Sequence, residues 1–86
     1  MKKLEKILKA FSNISRLKIV RYLKANKFAS VINISRNTKC SYKATSKHLS
    51  ILFHVDVVDR QQSMYEMHYR IADGLDPAAQ VIIDLI

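Results

Sequence analysis

Cys40–Leu52 reads CSYKATSKHLSIL, and it carries a helix start, a buried side and a basic side in one short stretch. Ser41 is a strong N-cap residue. From Tyr42 to about Phe53 the apolar side falls on Ala44 or Thr45, His48, Leu49 and Leu52, which leaves Lys43, Ser46, Lys47 and Ser50 on the other. A helix that shows cations and hydroxyls to solvent suits a partner made of phosphates and hydrogen-bonding edges.

The residues on either side place this helix. Upstream, Ser30 can cap a shorter helix carrying Val31, Ile32 and Ile34 that fades at Asn37-Thr38, so only Thr38-Lys39-Cys40 separates two helices. Further back, Leu4, Ile7, Leu8 and Phe11 form one apolar stripe of a first helix. Ser12-Asn13 supplies cap chemistry, and Ile14, Leu17, Ile19, Val20 and Leu23 carry a second helix to about Lys24. Downstream the period changes. Val57-Val58 is a β-branched run, and Tyr65, Met67, Tyr69 and Ile71 alternate with Met64, Glu66, His68 and Arg70, as in strands. Joining them through Arg60-Gln61-Gln62-Ser63 predicts a hairpin. Gly74 ends the unit, Asp76 caps, Pro77 suits a first helical position, and Ala78, Val81, Ile82 and Leu85 form a last helix.

The expected fold is therefore mainly α with a small β-hairpin wing, in the order four helices, two strands, one helix. Two helices around a tight turn, the second basic, followed by a hairpin, is the winged helix-turn-helix arrangement. The predicted organisation is one domain over residues 1–86, with the helix-turn-helix at about 30–54 and the wing at about 57–71.

Charge distribution points to the same partner. Residues 1–50 hold 13 Lys or Arg against Glu5 alone, whereas residues 51–86 hold Arg60 and Arg70 against six acids. A half this basic attracts a polyanion, and double-stranded DNA is the expected one. Lys43 and Lys47 are expected at phosphates or guanine, Tyr42 and Ser46 at base edges or backbone, and Ser50 shares their face. Ser41 and Tyr42 stand where a helix N-terminus presents free N–H groups to a phosphate. Arg60 and Gln62 would act from the wing, and Arg16, Lys18 and Lys39 would add backbone contacts.

Three stretches carry a family resemblance: LKAFSNISRLKIVRYL (Leu8–Leu23), CSYKATSKHLSIL (Cys40–Leu52) and YEMHYRIAD (Tyr65–Asp73). Together they resemble the ArsR-type winged helix-turn-helix repressors over most of residues 4–73. The resemblance implies that Tyr42, Lys43, Ser46 and Lys47 meet DNA, and that the protein is a homodimer built on its first and last helices, about 2–11 and 77–86. The residues agree with that, because Leu4, Ile7, Leu8 and Phe11 offer one apolar stripe and Val81, Ile82 and Leu85 another. A two-fold symmetric dimer calls for an inverted-repeat operator. Two positions depart from the family: Met64 replaces the usual wing-tip Gly, and Asp56 stands where Gly often takes a left-handed backbone.

The metal sites of the family are not expected here. Its third-helix thiols correspond to Ser30-Val31-Ile32, and the last helix offers Asp84 without His. Cys40, His48, His54 and His68 have no close ligand spacing, and His48 is read as a packing residue beneath the recognition helix. No cofactor is expected. Catalysis is not expected either, since there is no Gly-rich phosphate loop and no nucleophile–base spacing. No apolar run approaches the roughly 20 residues of a membrane span, so a soluble, cytoplasmic protein without membrane partners is expected. Two other readings remain open: a ligand- or redox-responsive regulator using Cys40, and a small dimeric protein-interaction module that does not bind DNA.

Overall fold

The computed structural model describes all 86 residues. Its elements are α1 (Lys2–Phe11), α2 (Ile14–Ala25), β1 (Ala29–Ser30), α3 (Val31–Thr38), α4 (Tyr42–His54), β2 (Val58–Ser63), β3 (Glu66–Ile71) and α5 (Pro77–Leu85). Most helix starts are written in a side chain. Asn13 accepts from the Arg16 N–H, Ser30 from Asn33, Ser41 from Ala44 and Asp76 from Ala78, each satisfying a backbone donor that the helix leaves free.

The helices and the sheet close on one apolar core. Ile7 and Phe11 enter it from α1, Ile19, Val20 and Leu23 from α2, Ile34 from α3, Leu49 and Leu52 from α4, and Ile83 from α5. Val57, Val58 and Tyr69 seal it from the sheet side. In α4 the apolar side resolves to Thr45, Leu49 and Leu52, all fully buried, with Ala44 only half-buried.

The sheet has three strands in the order β1-β3-β2, all antiparallel. β1 was not expected: two residues, Ala29 opposite Tyr69 and Ser30 opposite His68, are too few to show an alternation. The hairpin turn also differs from expectation. Arg60, Gln61, Gln62 and Ser63 lie inside β2, paired with Tyr69, His68, Met67 and Glu66, and the turn is Met64-Tyr65. Neither turn residue has positive φ, so this is not one of the two-residue turns that need Gly or Asn. Register therefore rests on the strands: Val58, Met67, Tyr69 and Ile71 face inward, and Asp59 meets Arg70 at 3.7 Å across the outer face.

Both helices around the central turn end in a left-handed residue other than glycine. Lys39 has φ 57° after α3, and the Cys40 N–H returns to the Ser35 carbonyl at 3.1 Å. Asp56 has φ 60° after α4; its own N–H reaches Phe53 O at 3.1 Å and the Val57 N–H reaches Leu52 O at 3.0 Å. This is the Schellman arrangement, with buried Leu52 and Val57 making its apolar contact.

Candidate nucleic-acid interface

The turn between α3 and α4 is short because both helix ends are closed locally. Thr38 Oγ1 donates to Ile34 O at 2.7 Å, and Ser41 caps α4 three residues later. α4 is held from beneath by Thr45, Leu49 and Leu52. Its opposite face exposes Tyr42, Lys43, Ser46 and Lys47, with Ser50 half-buried behind them. The first turn has no acid, so apart from the Ala44 N–H taken by the Ser41 cap its N–H groups stay free. None of Lys39, Lys43 and Lys47 belongs to any of the molecule's ion pairs, which are Lys3–Asp76, His68–Glu66 and those of Arg70 with Asp59 and Asp73.

His48 lies on the protein side of α4 and is half-buried. Its Nδ1 is 3.2 Å from Arg16 Nη1. A guanidinium only donates, so His48 must accept there and carry its proton on Nε2. Burial first, then the charges of Arg16 and Lys47, push the imidazole pKa below 6.5. The neutral form is the one this bond requires.

Arg16 is thus placed differently from its sequence reading. Its Nε donates to Ala10 O at 2.6 Å and Nη2 to Lys9 O at 3.3 Å, closing the carbonyl end of α1, while Nη1 engages His48. The guanidinium is turned inward, where helix-end carbonyls compete successfully for it. Arg60 is exposed on β2, its guanidinium lying 3.9 Å above the Phe53 ring of α4. Gln62 is exposed on β2, its amide donating to Ser63 O at 3.1 Å. The outermost wing residues are instead Met64 and Tyr65, 87% and 90% exposed, which the misplaced turn concealed.

Lys18 and Lys39 come together along one groove, and Arg21 joins them. Arg21 was missed, although it follows Lys18 by three residues on the same helix face. Cys40, half-buried in the turn, has its Sγ 3.6 Å from Thr38 O. No group of three or more His, Cys, Asp or Glu side chains converges as metal ligands would.

The two apolar helix stripes divide between core and surface. Ile7 and Phe11 are sunk into their own core and cannot serve an interface, whereas Leu4 and Leu8 stay outside on α1. On α5, Val81 and Leu85 are exposed and Ile82 is half-buried. α1 and α5 pack on each other, and Lys24 Nζ closes the end of α5 through Ile83 O at 3.0 Å. No helix is long and apolar enough to cross a membrane.

A basic, well-capped second helix behind a three-residue turn, followed by a hairpin, defines a winged helix-turn-helix domain. Solved structures sharpen the class. HlyU from Vibrio cholerae superposes with a TM-score of 0.81 at 26% identity, covering 98% of this chain and 84% of that one. The transcriptional repressor PagR of Bacillus anthracis gives a TM-score of 0.79 at 28% identity, covering 98% and 92%. A homodimeric winged helix-turn-helix DNA-binding domain from Mycobacterium bovis, described as a possible ArsR-family transcriptional regulator, gives 0.83 at 24% identity, covering 98% and 75%. The architecture is the winged helix-turn-helix fold of these neighbours, the fold that the sequence resemblance implied. No protein-family model and no curated protein sequence matches the chain.

Proposed function

We propose that the protein is a homodimeric, sequence-specific double-stranded DNA-binding transcriptional repressor that acts in the cytoplasm without a metal site. The observation that carries this reading is the outward face of α4. Tyr42, Lys43, Ser46 and Lys47 are exposed together, free of ion pairs, on a helix whose other side is locked into the core. That is the chemistry a major-groove helix needs: cations for phosphate or guanine, and hydroxyls for base edges. The helix-turn-helix would span residues 30–54 and the wing residues 57–71.

Dimerisation is proposed through α1 and α5, over Leu4, Leu8, Val81, Ile82 and Leu85. The Mycobacterium bovis neighbour is homodimeric. Exposed leucines and valine on two adjacent helices support the same assembly here. Two recognition helices related by a two-fold axis would read an inverted repeat.

Replacing Lys43 and Lys47 together by Ala tests the assignment. Both side chains are exposed, so the fold is retained. Operator affinity is expected to drop, and the slope of log K against log salt to flatten by about 0.9 for each phosphate that is no longer neutralised. Unchanged affinity and slope would show that α4 is not the recognition helix.

A further inference from the structure

Lys18 and Arg21 stand on one wall of the groove between α2 and the end of α3, and Lys39 stands on the other. Tyr22, Ala25, Asn26, Asn37 and Thr38 complete the lining, and no carboxylate enters it. Each cation is exposed or half-exposed and none belongs to an ion pair. No hydrogen bond within the protein uses the Arg21 guanidinium or either ammonium. The Asn37 amide donates to the Tyr22 hydroxyl at 3.3 Å, which orients that oxygen and leaves its own proton without a partner. The position of Lys39 is set by the left-handed close of α3, so one wall is fixed by the backbone. Three exposed cations and a free hydroxyl donor therefore line one depression that holds no carboxylate, an arrangement that favours a bound anion.

We infer that this groove is a binding site for a phosphate-class anion, held by Lys18, Arg21 and Lys39 with the Tyr22 hydroxyl as a neutral donor. Phosphate suits it because several charge-assisted donors are available to its oxygens. Lys39 is two residues from the cap of α4, so an occupant lies beside the recognition helix. The phosphate can come from duplex DNA flanking the bases that α4 reads, which rests on the DNA-binding reading, or from a free phosphorylated molecule, which does not.

The test uses the full chain and its Lys18→Gln/Arg21→Gln variant, with folding checked by circular dichroism. Inorganic pyrophosphate is titrated into each protein at low salt and followed by backbone amide shifts. In parallel, duplex DNA affinity is measured across a salt series. Pyrophosphate is expected to shift groove residues and to bind about tenfold more weakly, or worse, for each cation replaced. If DNA supplies the phosphate, the variant's log–log salt slope also flattens by about 0.9 per phosphate left unneutralised, and pyrophosphate competes with duplex. If the occupant is a free anion, pyrophosphate binding is lost and the slope stays as in the parent. An unchanged slope together with unchanged pyrophosphate binding overturns the site. Failure of the parent protein to bind any duplex would refute the DNA-binding reading while the pyrophosphate titration still decides the groove.

Discussion

Asp56→Gly isolates the turn that carries the chain from α4 into the wing. Asp56 has φ 60°, where a Cβ crowds the following carbonyl, at a cost of roughly 1–2 kcal/mol for most residues and less for Asp. The position is not free to relax. The Asp56 and Val57 N–H groups are both bonded back to α4, and buried Leu52 and Val57 pin the motif. Glycine removes the Cβ penalty but gives the unfolded chain more freedom, worth about 0.4–1 kcal/mol in the opposite direction. The net gain is about 0.5 kcal/mol, which raises the Tm of a domain this size by roughly 2–4 °C. Asp56→Ala is the control: it keeps the Cβ, and Ala enters the left-handed region less readily than Asp, so its Tm falls. Thermal unfolding by circular dichroism, with all proteins at one concentration to hold any subunit association constant, reads both changes. Equal Tm values for the Gly and Ala variants, or a loss of stability in the Gly variant, would refute the strain argument.

Three further outcomes follow from particular side chains. Thr45 Oγ1 is buried without a partner, and such a hydroxyl costs about 1–3 kcal/mol, so Thr45→Val raises the urea midpoint at unchanged m; an unmoved midpoint would mean that the hydroxyl is paired in solution. The pKa of His48 is below 6.5 in the folded state, so between the folded value and 6.5 the unfolded chain binds more protons. Its contribution is complete above about pH 6.5 and is lost as pH falls through the folded value; urea midpoints from pH 5 to 8 should slope less in His48→Gln than in the parent, and parallel profiles would exclude His48 as the source. Finally, Leu8→Glu with Leu85→Glu places charges on both exposed helix faces and should give a monomer by light scattering. A variant that stays dimeric would move the interface elsewhere.

The helices were legible because each has an apolar period and most have a cap residue, and the left-handed backbone at Asp56 was legible only through the family resemblance, which puts a Gly there. What stayed hidden has a physical cause in each case. Periodicity tells which residues avoid water, not which neighbour covers them, so Ile7 and Phe11 looked the same as Leu4 and Leu8 until α5 and the core were in place. β1 is too short for any period, and its partner β3 lies about forty residues away (Ala29 with Tyr69). Without Gly or Asn at the hairpin turn, nothing local favoured Met64-Tyr65 over the polar run Arg60–Ser63. Arg16 was counted as outward charge, but a long side chain beside a helix end finds its partners within the molecule. The same counting overlooked Arg21, whose significance depends on Lys39 being folded opposite it.

The central claim is that two copies of this chain read an inverted repeat through α4. Its most direct test is selection of duplex DNA from a random pool by the purified protein at low and moderate salt, followed by sequencing of what is retained. The account predicts enrichment of an inverted repeat whose half-sites lie about one helical turn, or a multiple of it, apart, with retention falling steeply as salt rises. Retention without sequence preference, or no retention at low salt, would contradict it.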